Sequence, residues 1–125
     1  MWYQRAKENY DKAIVWYQRA NEIDPKVTNH KWWGKVLFAE KRYDEAIAQY
    51  QKAIELEPKA INGYIFWGDT LAAQQKYDEA IEKYKEAIKI DPNNADPYNG
   101  WGKALLGHGK PRAAEEKFAK ARERN

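Results

Sequence analysis

The residues able to do chemistry in this chain are few and poorly arranged for it. Histidine occurs only as His30 and His108, far apart in sequence and without partners at metal-ligand spacing, so no metal site is expected. The adjacent carboxylates Asp44-Glu45 and Asp78-Glu79 could be pictured as acid–base pairs. They recur at one spacing and stand where helices are predicted to start. There an acid complements the free N–H groups and the helix dipole, which explains them better. Gly107-His108-Gly109 lacks the following Lys-Ser/Thr of a phosphate loop. The sequence contains neither Cys nor Ser, which removes thiol and serine nucleophiles, thiolate metal sites and disulfides. No enzyme and no cofactor are expected. What remains is surface chemistry, carried by six Trp, nine Tyr and many lysines.

Those side chains must be positioned by a chain of 125 residues, a common length for one domain with a sizeable core. Mean hydropathy is low, at −1.01. A third of the residues are charged, yet 14% are aromatic. Large apolar side chains are plentiful and Gly and Pro are few, which excludes collagen-like and low-complexity classes. No window approaches eighteen apolar residues, so no membrane insertion is expected. The opening residues lack the apolar stretch of a signal peptide. A net charge of +3, from 22 basic and 19 acidic residues, is too balanced to argue for nucleic acid. The expected setting is cytoplasmic.

Internal repetition organises the chain. Pro25, Pro58 and Pro92 are 33 and 34 residues apart. The series Ala13, Ala46, Ala80, Ala114 and Ala20, Ala53, Ala87, Ala121 share that spacing, as do Tyr17, Tyr50, Tyr84 and Phe118. Trp33, Trp67 and Trp101 and the glycines that follow them are 34 apart. Several independent series at one period define a repeat protein. Within a unit, Tyr43, Ala46, Ile47, Tyr50, Ala53 and Ile54 mark an apolar stripe of helical period, repeated over Tyr77–Ile88 and Tyr10–Ala20. The first half of each unit predicts another helix, with Asp96-Pro97 read as an N-cap followed by Pro. Nothing alternates with period two. The expected class is all-α, with around seven helices.

The sequence resembles the tetratricopeptide repeat (TPR) family over residues 10–125. The carriers are the Trp-Gly pairs 33–34, 67–68 and 101–102, the paired alanines of the second helix, its aromatic, and the closing proline. Trp33, Trp67 and Trp101 stand where that family usually has Leu, and His30 replaces the early aromatic kept by Tyr64 and Tyr98. The resemblance implies a right-handed helical-hairpin solenoid of about three and a half units. It also implies one TPR domain over residues 1–125: a partial repeat at 1–26, then repeats at 27–60, 61–94 and 95–125. The small Gly and Ala are expected to let the two helices of a hairpin approach, while bulky residues fill the gaps between hairpins. At the start, Tyr3, Ala6, Tyr10, Ala13, Tyr17 and Ala20 alternate at spacings of three and four. One unbroken helix over roughly residues 2–23 and a break near Glu8-Asn9 both fit.

By the same resemblance, the first helix of each unit lines a groove for an extended or helical peptide of a protein partner. Mapped onto this sequence, the groove comprises Lys31, Trp32, Lys35 and Phe38, then Ile65, Phe66 and Asp69, then Asn99 and Lys103. The carboxylate-clamping variety of the family does not carry over, because Trp32, Phe66 and Gly100 replace its Asn. Adjacent Trp32 and Trp33 cannot both enter one hairpin core, since neighbouring helical residues point about 100° apart. A second function class is self-association. Val15 and Trp16 replace polar residues or Ala at the matching positions of the other second helices. With Trp2 and Tyr3 they form an apolar N-terminal edge that would suit a homodimer, or mark a truncated or engineered fragment. RNA binding by stacked aromatics and lysines fits the balanced charge poorly.

Overall fold

The computed structural model describes residues 2–26 and 28–124, without the side chains of Trp2 and Tyr3. Its described residues form seven helices and no strand. They group into two compact units, Met1–Pro58 and Lys59–Asn125. Val27, the expected first residue of the second repeat, lies outside the described residues.

The first unit holds α1 (Trp2–Ile23), α2 (His30–Ala39) and α3 (Tyr43–Leu56). Helix α1 runs unbroken through Glu8 and Asn9. No Gly or Pro interrupts those residues, and the three–four spacing keeps Tyr and Ala on one face. Pro25 follows two residues after its end, as a stop signal should. In the connection, Asp24 Oδ1 accepts from the Lys26 backbone N–H at 2.9 Å. The Asn29 side chain caps α2 by accepting from the Trp32 N–H at 3.1 Å. Buried His30 is tied at both ring nitrogens: Nε2 lies 2.9 Å from the Pro25 carbonyl and Nδ1 lies 2.7 Å from Gln49 Oε1. That explains why histidine can take an aromatic's position here: the ring stays flat against Trp33, and both of its polar atoms are satisfied.

The second unit holds α4 (Ile61–Ala73), α5 (Tyr77–Ile90), α6 (Asp96–Gly107) and α7 (Pro111–Glu123). Helices α4 and α5 form one antiparallel hairpin and α6 and α7 another, with α5 and α4 both packed on α6. Helix α6 starts one residue later than its cap motif suggested: Ala95 is the N-cap and Asp96 the first helical residue. Asn94 Oδ1 takes the Asp96 N–H at 2.8 Å, so the capping oxygen comes from outside the helix.

The first helix of every hairpin ends in the same way. Lys41, Gln75 and Gly109, spaced 34 apart, have φ of 61°, 64° and 76°. The next N–H reaches back six residues, from Arg42 to Leu37 O, Lys76 to Leu71 O and Lys110 to Leu105 O, at 2.8–2.9 Å. This double-bonded ending turns the chain sharply into the second helix.

Close approach inside a hairpin is made by an aromatic ring meeting glycine, rather than by Gly meeting Ala. Gly34 faces Tyr50. A Cβ added at Gly68 would meet Tyr84 at 2.7 Å, and one at Gly102 would meet Phe118 at 2.5 Å. The expectation that bulky residues fill the joints between hairpins holds as well. A Cβ at Gly100, on the next hairpin, would lie 2.5 Å from the same Tyr84 ring. Tyr84 is thus clasped between α4 and α6, 1% exposed.

Candidate functional site

In the first unit the candidate face lies on α2. Adjacent Trp32 and Trp33 separate as their angular offset requires. Trp33 is 8% exposed and stacked between Tyr17 and His30, with ring centroids 6.1 and 5.9 Å away. Trp32 is 50% exposed. The Lys31 ammonium lies 5.6 Å from the Trp32 ring centroid, within cation–π range. Lys35 is half-buried one turn further on, and Phe38 closes the face by packing at 5.5 Å against Tyr43 of α3. The result is an indole flanked by cations on a helix anchored from beneath.

In the second unit the candidate face lies on α4 and α6. Phe66 and Asn99 are half-buried and Lys103 is exposed. Ile65 is buried, so it supports the face rather than lining it. Asp69 accepts a 2.6 Å hydrogen bond from the Tyr84 hydroxyl. This couples the expected groove position to the packing of α5. Burial first, then the Asp69 carboxylate and this bond, hold the Tyr84 phenol well above the usual tyrosine range. Leu106, on the same helix as Asn99 and Lys103, is a further half-exposed apolar side chain.

Three features escaped the sequence reading. The first is the Tyr84–Asp69 bond. The second is a set of cations resting on aromatic faces: Lys83 over Trp67 and Lys117 over Trp101, each at 3.8 Å, and Arg124 over Tyr98 at 4.4 Å. Their period of 34 was visible, but the pairing was not, because a cation on a helix normally reads as solvated surface. Burial first, then neighbouring Lys120 and also Lys85, lowers the Lys117 ammonium from its ordinary value. The third is Glu40 at the end of α2. Burial first, then a hydrogen bond with Asp11 of α1, raises its carboxyl.

On the N-terminal edge, Trp16 is 73% and Val15 45% exposed, and so is Ile23 at 84%. Trp2 and Tyr3, the other expected members, lie outside the described side chains. His108 sits 3.8 Å from Asp78 and stacks on Tyr77, apart from His30 in sequence and in surroundings. Among the described residues no three His, Cys, Asp or Glu side chains gather as a metal site. No helix there is long and apolar enough to cross a membrane.

Antiparallel helix pairs at a 34-residue period, with aromatic-on-glycine contacts, define a helical-hairpin repeat protein of the interaction-scaffold kind. The family model described as "Anaphase-promoting complex, cyclosome, subunit 3" matches residues 6–87, more than half of the chain. The one described as "TPR repeat" matches residues 68–109. The chain belongs to the tetratricopeptide repeat family. Solved structures of MamA share the fold. MamA from MSR-1 superposes with a TM-score of 0.79 at 23% identity, over 93% of this chain and 67% of that one. The RS-1 MamA double mutant gives 0.81 at 20%, over 93% and 66%. A further MamA crystal structure gives 0.69 at 23%, over 97% and 91%. The chain therefore spans about two thirds of the length of the first two. None of the curated proteins gives a significant match.

Proposed function

We propose that the protein is a non-enzymatic interaction scaffold whose hairpin-leading helices hold a peptide or helical segment of a protein partner. The observation that carries this reading is the exposure of Trp32, which is left half in solvent while its neighbour Trp33 is buried. An indole flanked by Lys31 and Lys35 on a rigid helix offers apolar area with a cationic rim, the usual make-up of a binding hot spot. On α4 and α6, Phe66, Asn99 and Lys103 supply a similar mixture, supported from beneath by Ile65 and by Asp69 in its bond to Tyr84. The same reading treats residues 1–125 as one domain, acting in the cytoplasm without nucleic acid, in keeping with the balanced charge.

The test is selection of binders from a displayed random-peptide library, followed by titration of the selected peptide. Trp32→Ala combined with Phe66→Ala should weaken binding at least about tenfold, the scale of losing hot-spot aromatics. Circular dichroism should be unchanged. Equal affinity for parent and double variant rejects this face as the binding site. Self-association through Val15, Trp16, Trp2 and Tyr3 is a second reading, supported by the exposure of Val15 and Trp16. Light scattering coupled to size exclusion decides it.

A further inference from the structure

The outer face of α1 carries a pattern that neither the repeat nor the helix-leading faces account for. Arg5, Asn9, Lys12, Trp16, Arg19 and Ile23 alternate at spacings of four and three, which places them along one face of the helix. All six are exposed. Trp16 and Ile23 are the most exposed large apolar side chains among the described residues, at 73% and 84%. Helix α1 packs on α2 alone among the described elements.

The other hairpins show what covers this face. Trp16 stands at the repeat position of Gln49, Lys83 and Lys117, and Ile23 at that of Arg124. Each of those four meets the leading helix of its own hairpin. Gln49 bonds His30, Lys83 lies over Trp67, Lys117 over Trp101 and Arg124 over Tyr98. The same face of α1 has no such helix against it among the described residues, and its polarity is changed from cation or amide to Trp and Ile. The natural occupant is a helix.

Its charge follows from the flanks. Arg5, Lys12 and Arg19 have no carboxylate partner among the described residues. A second copy laid face to face would set three cations against three, with no acid at any of the six positions, and like charges oppose such pairing. A polyanionic surface is also a poor match. Glu8, Asp11 and Glu22 lie on the same helix beside the stripe. They repel a phosphate array that extends past the cations. Discrete carboxylates on a helix can be set opposite Arg5, Lys12 and Arg19 alone.

We propose that the outer face of α1 receives an acidic amphipathic helix from a partner protein. It lies along Trp16 and Ile23 as leading helices lie along the second helices elsewhere, with its acids on Arg5, Lys12 and Arg19. This surface is separate from the faces of α2, α4 and α6.

The probe is a dye-labelled synthetic helix about three heptads long, with Leu at the seam and Glu on both flanks, read by fluorescence anisotropy. A sister peptide carries Lys in place of Glu. The parent should bind the Glu peptide, more weakly as salt rises, and prefer it to the Lys peptide by at least about tenfold. Trp16→Lys should lower affinity by at least about tenfold with helix content unchanged. Lys12→Glu with Arg19→Glu should reverse the preference between the two peptides. Trp32→Ala with Phe66→Ala should leave this binding intact, so failure here is distinct from failure of the leading-helix faces. The proposal is overturned if the Glu peptide does not bind, or binds the Trp16 variant equally. It is also overturned if both peptides bind alike. Phosphatidylserine vesicles or oligouridine bound through these residues would assign the face to a polyanion instead. A parent dimer that Trp16→Lys converts to monomer would assign it to a second copy.

Discussion

Gly100→Ala tests the clasp around Tyr84, because a single methyl group would enter a space already taken. The new Cβ would lie 2.5 Å from Cε1 and Cζ of Tyr84 and 2.9 Å from its hydroxyl. Carbon atoms prefer to be about 3.5–4.0 Å apart, so the overlap is about 1 Å. The ring has no room to retreat. Its other side abuts Gly68, where a Cβ would be 2.7 Å away, and its hydroxyl is bonded to Asp69 at 2.6 Å. Either α6 shifts, at the roughly 1–3 kcal/mol of an overpacked core, or the ring rotates and gives up a bond to a charged group of about 1.5–3 kcal/mol. Replacing Gly by Ala inside a helix returns about 0.5–1 kcal/mol. The net expectation is a loss of about 1–2 kcal/mol, or roughly 4–15 °C in melting temperature for a unit of this size. Urea unfolding followed by far-UV circular dichroism measures it. In a Tyr84→Ala background the same substitution should cost far less, because the ring it strikes is gone. An unchanged midpoint for Gly100→Ala refutes the clasp. So does an equal penalty in both backgrounds.

Alkaline pH offers an independent reading of the same side chain. The Tyr84 phenol is raised in the folded state, by burial above all. The unfolded chain ionises at a tyrosine pKa of about 10 while the folded chain does not, so this stabilisation is complete below about 10 and declines as pH rises past it. The urea midpoint should fall between pH 8 and about 11 by less in Tyr84→Phe than in the parent; identical falls would contradict the assignment. At the hairpin turns, Gly109→Ala should cost about 1 kcal/mol, since φ there is 76°. Gln75→Gly, relieving a φ of 64°, should be neutral to stabilising by up to about 1 kcal/mol. Thermal melts of the two variants should therefore move in opposite directions or leave Gln75→Gly at the parent value.

Periodicity alone determined the helices of this protein, their pairing and their boundaries to within a residue or so. A burial stripe of helical period and a stop after each turn are properties of local sequence, and Pro25, Pro58 and Pro92 state them three times over. The separation of Trp32 from Trp33 was equally legible, because residues one apart on a helix cannot face the same way. The continuity of α1 was not, since nothing local distinguishes a helix that runs through Glu8-Asn9 from one that bends there. Nor was the fate of individual polar groups. Asp69 reads as a groove residue until Tyr84 arrives from α5, fifteen residues on, and claims its carboxylate. Lys83, Lys117 and Arg124 read as solvated charge until the opposing helix presents an indole or phenol face. Gly100 reads as a lost groove side chain, and tertiary packing makes it the space a ring requires. Helical period is set by bonds within a few residues. Which side chain meets which is set by helix approach distances, and those exist only once the hairpins have closed and packed.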